Sequence, residues 1–187
     1  AHFSEAINSN KAWLKRGGTL VAYGGAVASL QAAELLRNAT ISRQDLSRSK
    51  TPLPNRRPYG TAKTTLDLQL MRGAILRTLV DQTHPLAFAV PESLPVFRNH
   101  ETLIALSENV YANPLVYAPE PVMSGYVSDE NRRLLVTSAS VVVYPRGAGR
   151  IIILAENPNF RAFWLGSERL FYNALFLPDM ISSPLSD

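Results

Sequence analysis

The spacing that is most typical of catalysis lies in GGTLVAYGGAVASL, residues 17–30, where glycine pairs flank a short apolar run. A nucleophile elbow of the form G-x-S-x-G places its serine on a sharp turn between a strand and a helix. Here Gly24 and Gly25 open the turn, Ala26 occupies the position of the nucleophile, and Ala28 replaces the last glycine. A methyl group cannot attack a carbonyl, so the segment predicts an elbow without a nucleophile.

The same glycine turn has two other interpretations. Glycines before a helix allow backbone N–H groups to hold a phosphate, but GGAVAS matches neither G-x-G-x-x-G nor a P-loop with its lysine. A tight turn that lets strand and helix pack closely is therefore favoured over phosphate binding. Ser29 is expected on the surface of the following helix and is not favoured as a nucleophile.

The histidines do not form a recognisable metal site. HETLI at residues 100–104 begins like the zinc motif HExxH, but Ile104 stands where the second histidine is required. His84 is predicted to be a hydrogen-bonded loop histidine. An enzyme of another type that uses His84, His100 or Glu101 is the least favoured alternative, because base, nucleophile and orienting group share no motif.

Polar residues also cluster in ENPNFR, near the end of the chain. Glu156, Asn157, Asn159 and Arg161 have two interpretations, of which the first is favoured. They form a structural corner, in which the asparagines bond to backbone groups around the proline, or they form a ligand site.

The elements that must position these residues alternate between strands and helices. Residues 19–23 form a continuous apolar run, which is typical of a parallel strand buried on both faces. A helix is predicted to follow over residues 26–38. Residues 141–144 and 150–154 predict a β-hairpin with a Gly-Ala-Gly turn, and a helical stripe is predicted from residue 160 to residue 175.

The middle of the chain predicts shorter elements. Residues 73–81 predict a strand, and TLIAL and PLVYA predict two more. A helix is expected to begin at Ser128 or Asp129, either of which would cap it. Residues 39–64 are rich in proline, serine and arginine and predict a long surface excursion.

Composition limits the class of protein. The chain has 187 residues, of which 46% are hydrophobic and 18% charged, and this favours one globular domain over disorder. The net charge of +4 comes from scattered residues, so nucleic acid is not an expected partner. No apolar run is long enough for a membrane span, and the absence of cysteine excludes disulfides and a thiolate nucleophile.

Three segments together resemble a known family. They are GGTLVAYGGA, THPLAF and GAGRIIILAENPNFRAFWLGSERLFYNALF, of which the last is the most specific. They resemble the class I glutamine amidotransferase-like domain at the C-terminal end of bacterial proteins related to zinc carboxypeptidases. The resemblance covers most of a single domain over residues 1–187 and is weakest across residues 39–64.

The resemblance implies a fold and a defect in catalysis. The fold would be a flavodoxin-like three-layer α/β sandwich with a mainly parallel sheet, a C-terminal β-hairpin and a closing helix. Active amidotransferases use an elbow cysteine, a histidine and a glutamate, and Ala26 falls on the position of the cysteine. Without a thiolate no glutamyl thioester forms, so no catalytic residue and no cofactor is expected here.

The resemblance also implies a place in a larger protein. The chain would be a fragment that follows an N-terminal peptidase domain, and zinc would be bound only in that domain. We expect a secreted or periplasmic, non-catalytic accessory domain that is structural or presents substrate, with self-association as a further expectation. The alternative is a small-molecule binding module that uses the cleft above the turn at Gly24 to Ala26.

Overall fold

The structure is a computed structural model that describes residues 11–41, 58–63, 70–71, 73–162 and 164–182. Within these residues, seven strands form one curled, half-barrel sheet of mixed direction. The strands are β1 (Thr19–Tyr23), β2 (Ala74–Val80), β3 (Ser93–Arg98), β4 (Ile104–Ala105), β5 (Leu115–Gly125), β6 (Ser138–Arg146) and β7 (Gly149–Leu154). Their order is β1-β7-β6-β5-β2-β3, with β4 beside β6.

This sheet shows that the predicted flavodoxin-like fold is wrong. Among the described strands, only β1 and β7 pair in parallel, and the other pairs are antiparallel. The connection from β6 to β7 is two residues long, and that from β2 to β3 carries no crossover helix of the length that parallel neighbours need. The short connections therefore favour antiparallel pairing, as predicted for the hairpin of β6 and β7, and not the mainly parallel sheet that the resemblance implied.

Strand β1 shows why the prediction failed. It lies at one edge of the described sheet, and Tyr23 at its end is 44% exposed. A continuous apolar run of five residues does not distinguish a central strand from an edge strand. The predicted burial on both faces is therefore wrong for residues 19–23.

The helices are shorter than predicted. They are α1 (Ala26–Ala32), α2 (Asp129–Val136) and α3 (Glu168–Phe176), and residues 11–15 are also helical. The predicted helix over residues 26–38 ends at Ala32, because Glu34 and Asn38 adopt φ of 57° and 50°. The predicted stripe from residue 160 is α-helical only in α3, because residues 160–162 and 165–167 form 3₁₀ turns and Arg161 and Ala162 have positive φ.

Three local predictions are confirmed. Strand β2 covers most of residues 73–81, and α2 begins after Ser128, whose side chain accepts a hydrogen bond from the Asn131 amide at 3.3 Å. The hairpin of β6 and β7 turns at residues 147–148, where Gly147 has a φ of 65°. Gly149 is also required, because a Cβ there would collide with the carbonyls of Leu14 and Gly18.

The centre of the sheet is buried on both faces by alternating side chains. On one face, Val142, Ile151 and Ile153 belong to a core with residues from the segment 11–15 and from α1. On the other face, a second core includes side chains of β6 and β7, of α2 and of α3; they are Val141, Val143, Ile152, Leu154, Leu134, Leu135, Leu170 and Ala174. Each large side chain buried in this way contributes about 1.5–3 kcal/mol.

The predicted excursion over residues 39–64 lies mostly outside the described residues. Its beginning belongs to the sheet region, since the Ile41 amide donates to the Leu103 carbonyl at 3.0 Å and the Ala105 amide donates to the Ala39 carbonyl at 2.9 Å. Among the described residues, no helix is long and apolar enough to cross a membrane.

Candidate functional site

A buried polar cluster, which we call the Glu156 cluster, lies just beyond the end of β7. It consists of Arg98 at the end of β3, Tyr117 on β5, Ser140 on β6 and Glu156. Arg98 is 0% exposed and Glu156 is 4% exposed. Strands that are distant in sequence therefore converge on one carboxylate inside the core.

Glu156 accepts most of the hydrogen bonds of the cluster. Arg98 Nη1 lies 2.8 Å from Glu156 Oε1 and 2.6 Å from the Tyr117 hydroxyl, which itself donates to Oε1. The Ser140 hydroxyl donates to Oε2 at 2.7 Å, and Arg98 Nη2 donates to the Thr102 carbonyl. Both carboxylate oxygens thus accept bonds from the protein itself.

The electrostatics keep each donor protonated. Burial alone would lower the pKa of Arg98, but Tyr117 and Glu156 raise it above its ordinary value. Burial raises the pKa of Tyr117 well above its ordinary value, and the charge of Glu156 adds to this shift although Arg98 opposes it. The cluster therefore contains a charged guanidinium and a neutral phenol at physiological pH.

The cluster has almost no room for a substrate. The cavity beside Ser140 and Glu156 has a volume of about 10 Å³, which is about the space of a single water molecule. Both oxygens of Glu156 accept hydrogen bonds from the protein, and the small cavity leaves no room for a substrate, so the cluster is an internal ion pair rather than a reaction centre. One donor of the pair, the buried Arg98 Nε, has no hydrogen-bond partner among the described residues.

His100 lies next to this cluster and interacts electrostatically with Arg98, Glu156 and Glu101. Burial lowers the pKa of His100, and the positive charge of Arg98 lowers it further. The ring is therefore neutral near pH 7. His84 lies elsewhere, and its Nδ1 accepts a hydrogen bond from the Leu86 amide at 3.1 Å, which confirms the predicted loop histidine.

The elbow has the predicted backbone. β1 leads to Gly24, whose φ of 55° turns the chain, and α1 begins at Ala26. A Cβ added at Gly24 or Gly25 would meet nothing within 4 Å, so the turn, and not close packing, explains the glycine at Gly24. Because Tyr23 pairs with Leu154, the elbow and the Glu156 cluster lie at the same end of β1 and β7.

The ENPNFR corner divides into inner and outer residues. Glu156 faces the core, whereas Asn159 and Arg161 are exposed. The Asn157 side chain accepts a hydrogen bond from the Asn159 amide at 3.0 Å, and the Arg161 guanidinium lies 5.2 Å from the centre of the Phe160 ring. The structure therefore brings Asn157 and Asn159 together and separates Glu156 from Arg161.

Sequence reasoning did not find three members of the cluster: Arg98, Tyr117 and Ser140. A signal was present for Arg98, because it follows Leu94 and Val96 at a spacing of two and therefore points into the core. A buried arginine needs a carboxylate, but its partner lies 58 residues away in sequence. The alternation of side chains along β3 therefore predicts that Arg98 is buried, but it does not identify Glu156 as its partner.

The chain was compared with known proteins. No protein-family model matches it, and no curated protein sequence matches it. Within the described residues, no group of three or more histidine, cysteine, aspartate or glutamate side chains is placed to hold a metal ion.

Proposed function

We propose that this chain is a non-catalytic accessory domain of a secreted or periplasmic protein related to zinc carboxypeptidases, with a structural or substrate-presenting role. The observation that supports it best is the closed Glu156 cluster. Its carboxylate, the group most typical of acid–base chemistry, accepts hydrogen bonds from Arg98, Tyr117 and Ser140. A general base must instead reach a substrate proton.

The elbow supports the same proposal. The strand, turn and helix of a nucleophile elbow are present, but the first helical residue is Ala26. Its methyl group has no nucleophilic or acid–base chemistry. The backbone is consistent with an elbow that is retained for the fold.

An exposed apolar surface supports the proposed neighbour, an N-terminal peptidase domain. Phe88, Leu175, Phe176 and Met180 are exposed, and Phe176 is 78% exposed. Leu175 and Phe176 lie on α3, Met180 lies in the turn at residues 178–180, and Phe88 directly follows the turn at residues 85–87. These three elements contact one another. Exposed apolar patches of this kind mark protein contacts.

Assays of the 187-residue chain test the lack of catalysis. We expect no glutaminase, esterase or peptidase turnover above buffer. Glu156→Gln is the informative variant, and Glu101→Gln is its matched control outside the hydrogen bonds to Glu156. Turnover that Glu156→Gln removes and Glu101→Gln retains would overturn the proposal.

The proposed neighbour has a separate test. The protein sequence encoded upstream of Ala1 should contain a zinc-peptidase ligand pattern. An upstream sequence without such a pattern would contradict the carboxypeptidase context and leave the assays of catalysis unaffected.

A second candidate function is small-molecule binding above the turn at Gly24 and Gly25. The open space over both glycines favours it. Thermal unfolding with a panel of amino acids, sugars and nucleotides would detect a stabilising ligand. A shift that is equal in wild type and in Gly25→Leu would place binding elsewhere and contradict this candidate.

A further inference from the structure

A cleft lies at the opposite end of β7 from the Glu156 cluster. Its volume is about 210 Å³, and its walls include the hairpin turn from Gly147 to Arg150, the His84 turn and Ile181. Arg150 pairs with Thr19 at the start of β1, whereas the elbow begins five residues later, beyond the other end of that strand. The cleft is therefore a separate site from the one that the elbow and Glu156 share.

Arg150 gives this cleft its charge. Arg150 is only partly buried, but its Nη1 is shielded from solvent and has no hydrogen-bond partner among the described residues. No described carboxylate pairs with it, and none of the described residues that line the cleft is acidic. Because the guanidinium borders the cleft without a counter-ion among the described residues, an anion bound in the cleft would meet an unpaired positive charge.

Two other lining residues also supply donors. Because His84 Nδ1 accepts from the Leu86 amide, the proton of the neutral ring is on Nε2, and burial lowers the pKa of His84. The Asn109 side-chain oxygen accepts from the Tyr111 amide, which leaves its NH₂ group as a donor. The cleft therefore combines one cation with neutral donors.

The remaining walls limit the size and polarity of a ligand. Ala112, Val143 and Ile181 supply apolar surface beside Arg150. Pockets for drug-sized ligands have volumes of about 300–1,000 Å³, so this cleft suits a smaller molecule. A single guanidinium matches a single negative charge, and its planar fork fits a carboxylate in a bidentate manner.

We propose that this cleft binds the carboxylate of a small monoanion with an apolar substituent, namely an acylated amino acid or the C-terminal residue of a peptide. Arg150 holds the carboxylate, His84 and Asn109 donate to polar atoms, and Val143 contacts the substituent. This site goes beyond the proposed function and does not depend on a neighbouring peptidase domain.

Calorimetric titration of the 187-residue chain with N-acetyl-L-alanine tests the proposal. We expect saturable binding, with no binding of the neutral N-acetyl-L-alanine amide. Arg150→Met should lower the affinity at least tenfold, and Arg161→Met, which removes an exposed arginine elsewhere, should not. Equal affinity for the acid and its amide, or for wild type and Arg150→Met, would overturn the proposal.

Further titrations distinguish a peptide terminus from a free acylated amino acid as the source of the carboxylate. A conservative variant shows whether a loss of binding comes from misfolding. Tighter binding of N-acetyl-L-alanyl-L-alanine than of N-acetyl-L-alanine would assign the site to a peptide terminus, and the reverse would assign it to a free acylated amino acid. Arg150→Lys keeps the positive charge but not the planar fork of the guanidinium. The variant should therefore fold like the wild type and bind the carboxylate more weakly. Equal binding of inorganic phosphate or chloride would overturn carboxylate recognition.

Discussion

Arg98 and Arg150 lie on strands of the same sheet, yet their surroundings differ completely. Arg98 is fully buried, and the chain supplies its acceptors from Tyr117, Glu156 and Thr102. Arg150 borders a cleft and pairs with no described carboxylate. The comparison teaches that the role of an arginine depends on whether a carboxylate of the same chain reaches it.

Breaking the ion pair between Arg98 and Glu156 should have the largest effect on the free energy of unfolding. In Glu156→Leu, Arg98 keeps its charge in the core without a counter-ion, which costs on the order of 3–5 kcal/mol of unfolding free energy. Urea unfolding at pH 7 measures this loss. The double variant Arg98→Met/Glu156→Leu should be at least about 2 kcal/mol more stable than the sum of the single losses predicts. Additive losses would contradict a coupled pair.

Replacement of Asn173 on α3 should have the next largest effect on stability. Asn173 also holds in place the turn after His84, which lines the cleft at Arg150. Its buried side-chain NH₂ donates to the carbonyls of Leu86 and Phe88, each at 2.8 Å. Asn173→Ala removes both bonds and should cost about 2 kcal/mol. It should also weaken N-acetyl-L-alanine binding, because these bonds hold the turn that follows His84. Unchanged stability would contradict this, and Asn159→Ala is the exposed control.

The stability of the protein should depend on pH through His100, which lies next to the Glu156 cluster. The pKa of His100 is lowered from 6.5, so the unfolded chain gains a proton at a higher pH than the folded chain. The contribution of His100 to stability should be fully present above pH 6.5 and should be lost as the pH drops below it, by at most about 1.4 kcal/mol per pH unit.

Urea unfolding between pH 7.5 and pH 5.5 checks this dependence. His100→Gln should flatten it, and the remaining slope should come partly from His84, whose pKa is lowered mainly by burial. A rise in stability toward pH 5.5 in the wild type would contradict the assigned direction.

Arg150→Met should have the smallest effect on stability. Arg150 has no ion pair among the described residues to lose, so the free energy of unfolding of the variant should differ from that of the wild type by no more than about 0.5 kcal/mol. Arg98→Met, the matched change in the closed region, should cost several times as much. Similar losses in the two variants would remove the distinction between the two arginines.

Local features of the fold could be predicted from the sequence, and its pairing could not. The glycine of the hairpin, the Ser128 cap and the apolar alternation of β2 act over a few residues, so sequence patterns reveal them. The direction of neighbouring strands depends on connections and on contacts between distant segments. Residues 19–23 predicted a parallel strand buried on both faces; β1 does pair in parallel with β7, but it lies at an edge of the described sheet.

The candidate site divides in the same way. Glu156 and Ala26 could be identified from their neighbours in sequence, but the partners of Glu156 come from β3, β5 and β6. The cleft at Arg150 is assembled from the His84 turn, the hairpin and the segment after α3. None of these long-range contacts follows from local spacing.

Nuclear magnetic resonance of the arginine side chains tests the contrast between Arg98 and Arg150 most directly. The Arg98 Nε is buried, so its proton should exchange slowly with solvent and its signal should not move when N-acetyl-L-alanine is added. The Arg150 signals should exchange faster and shift with the titration. Fast exchange at Arg98, or a shift of Arg98 without one at Arg150, would contradict a closed Glu156 cluster at one end of β7 and an open carboxylate site at the other.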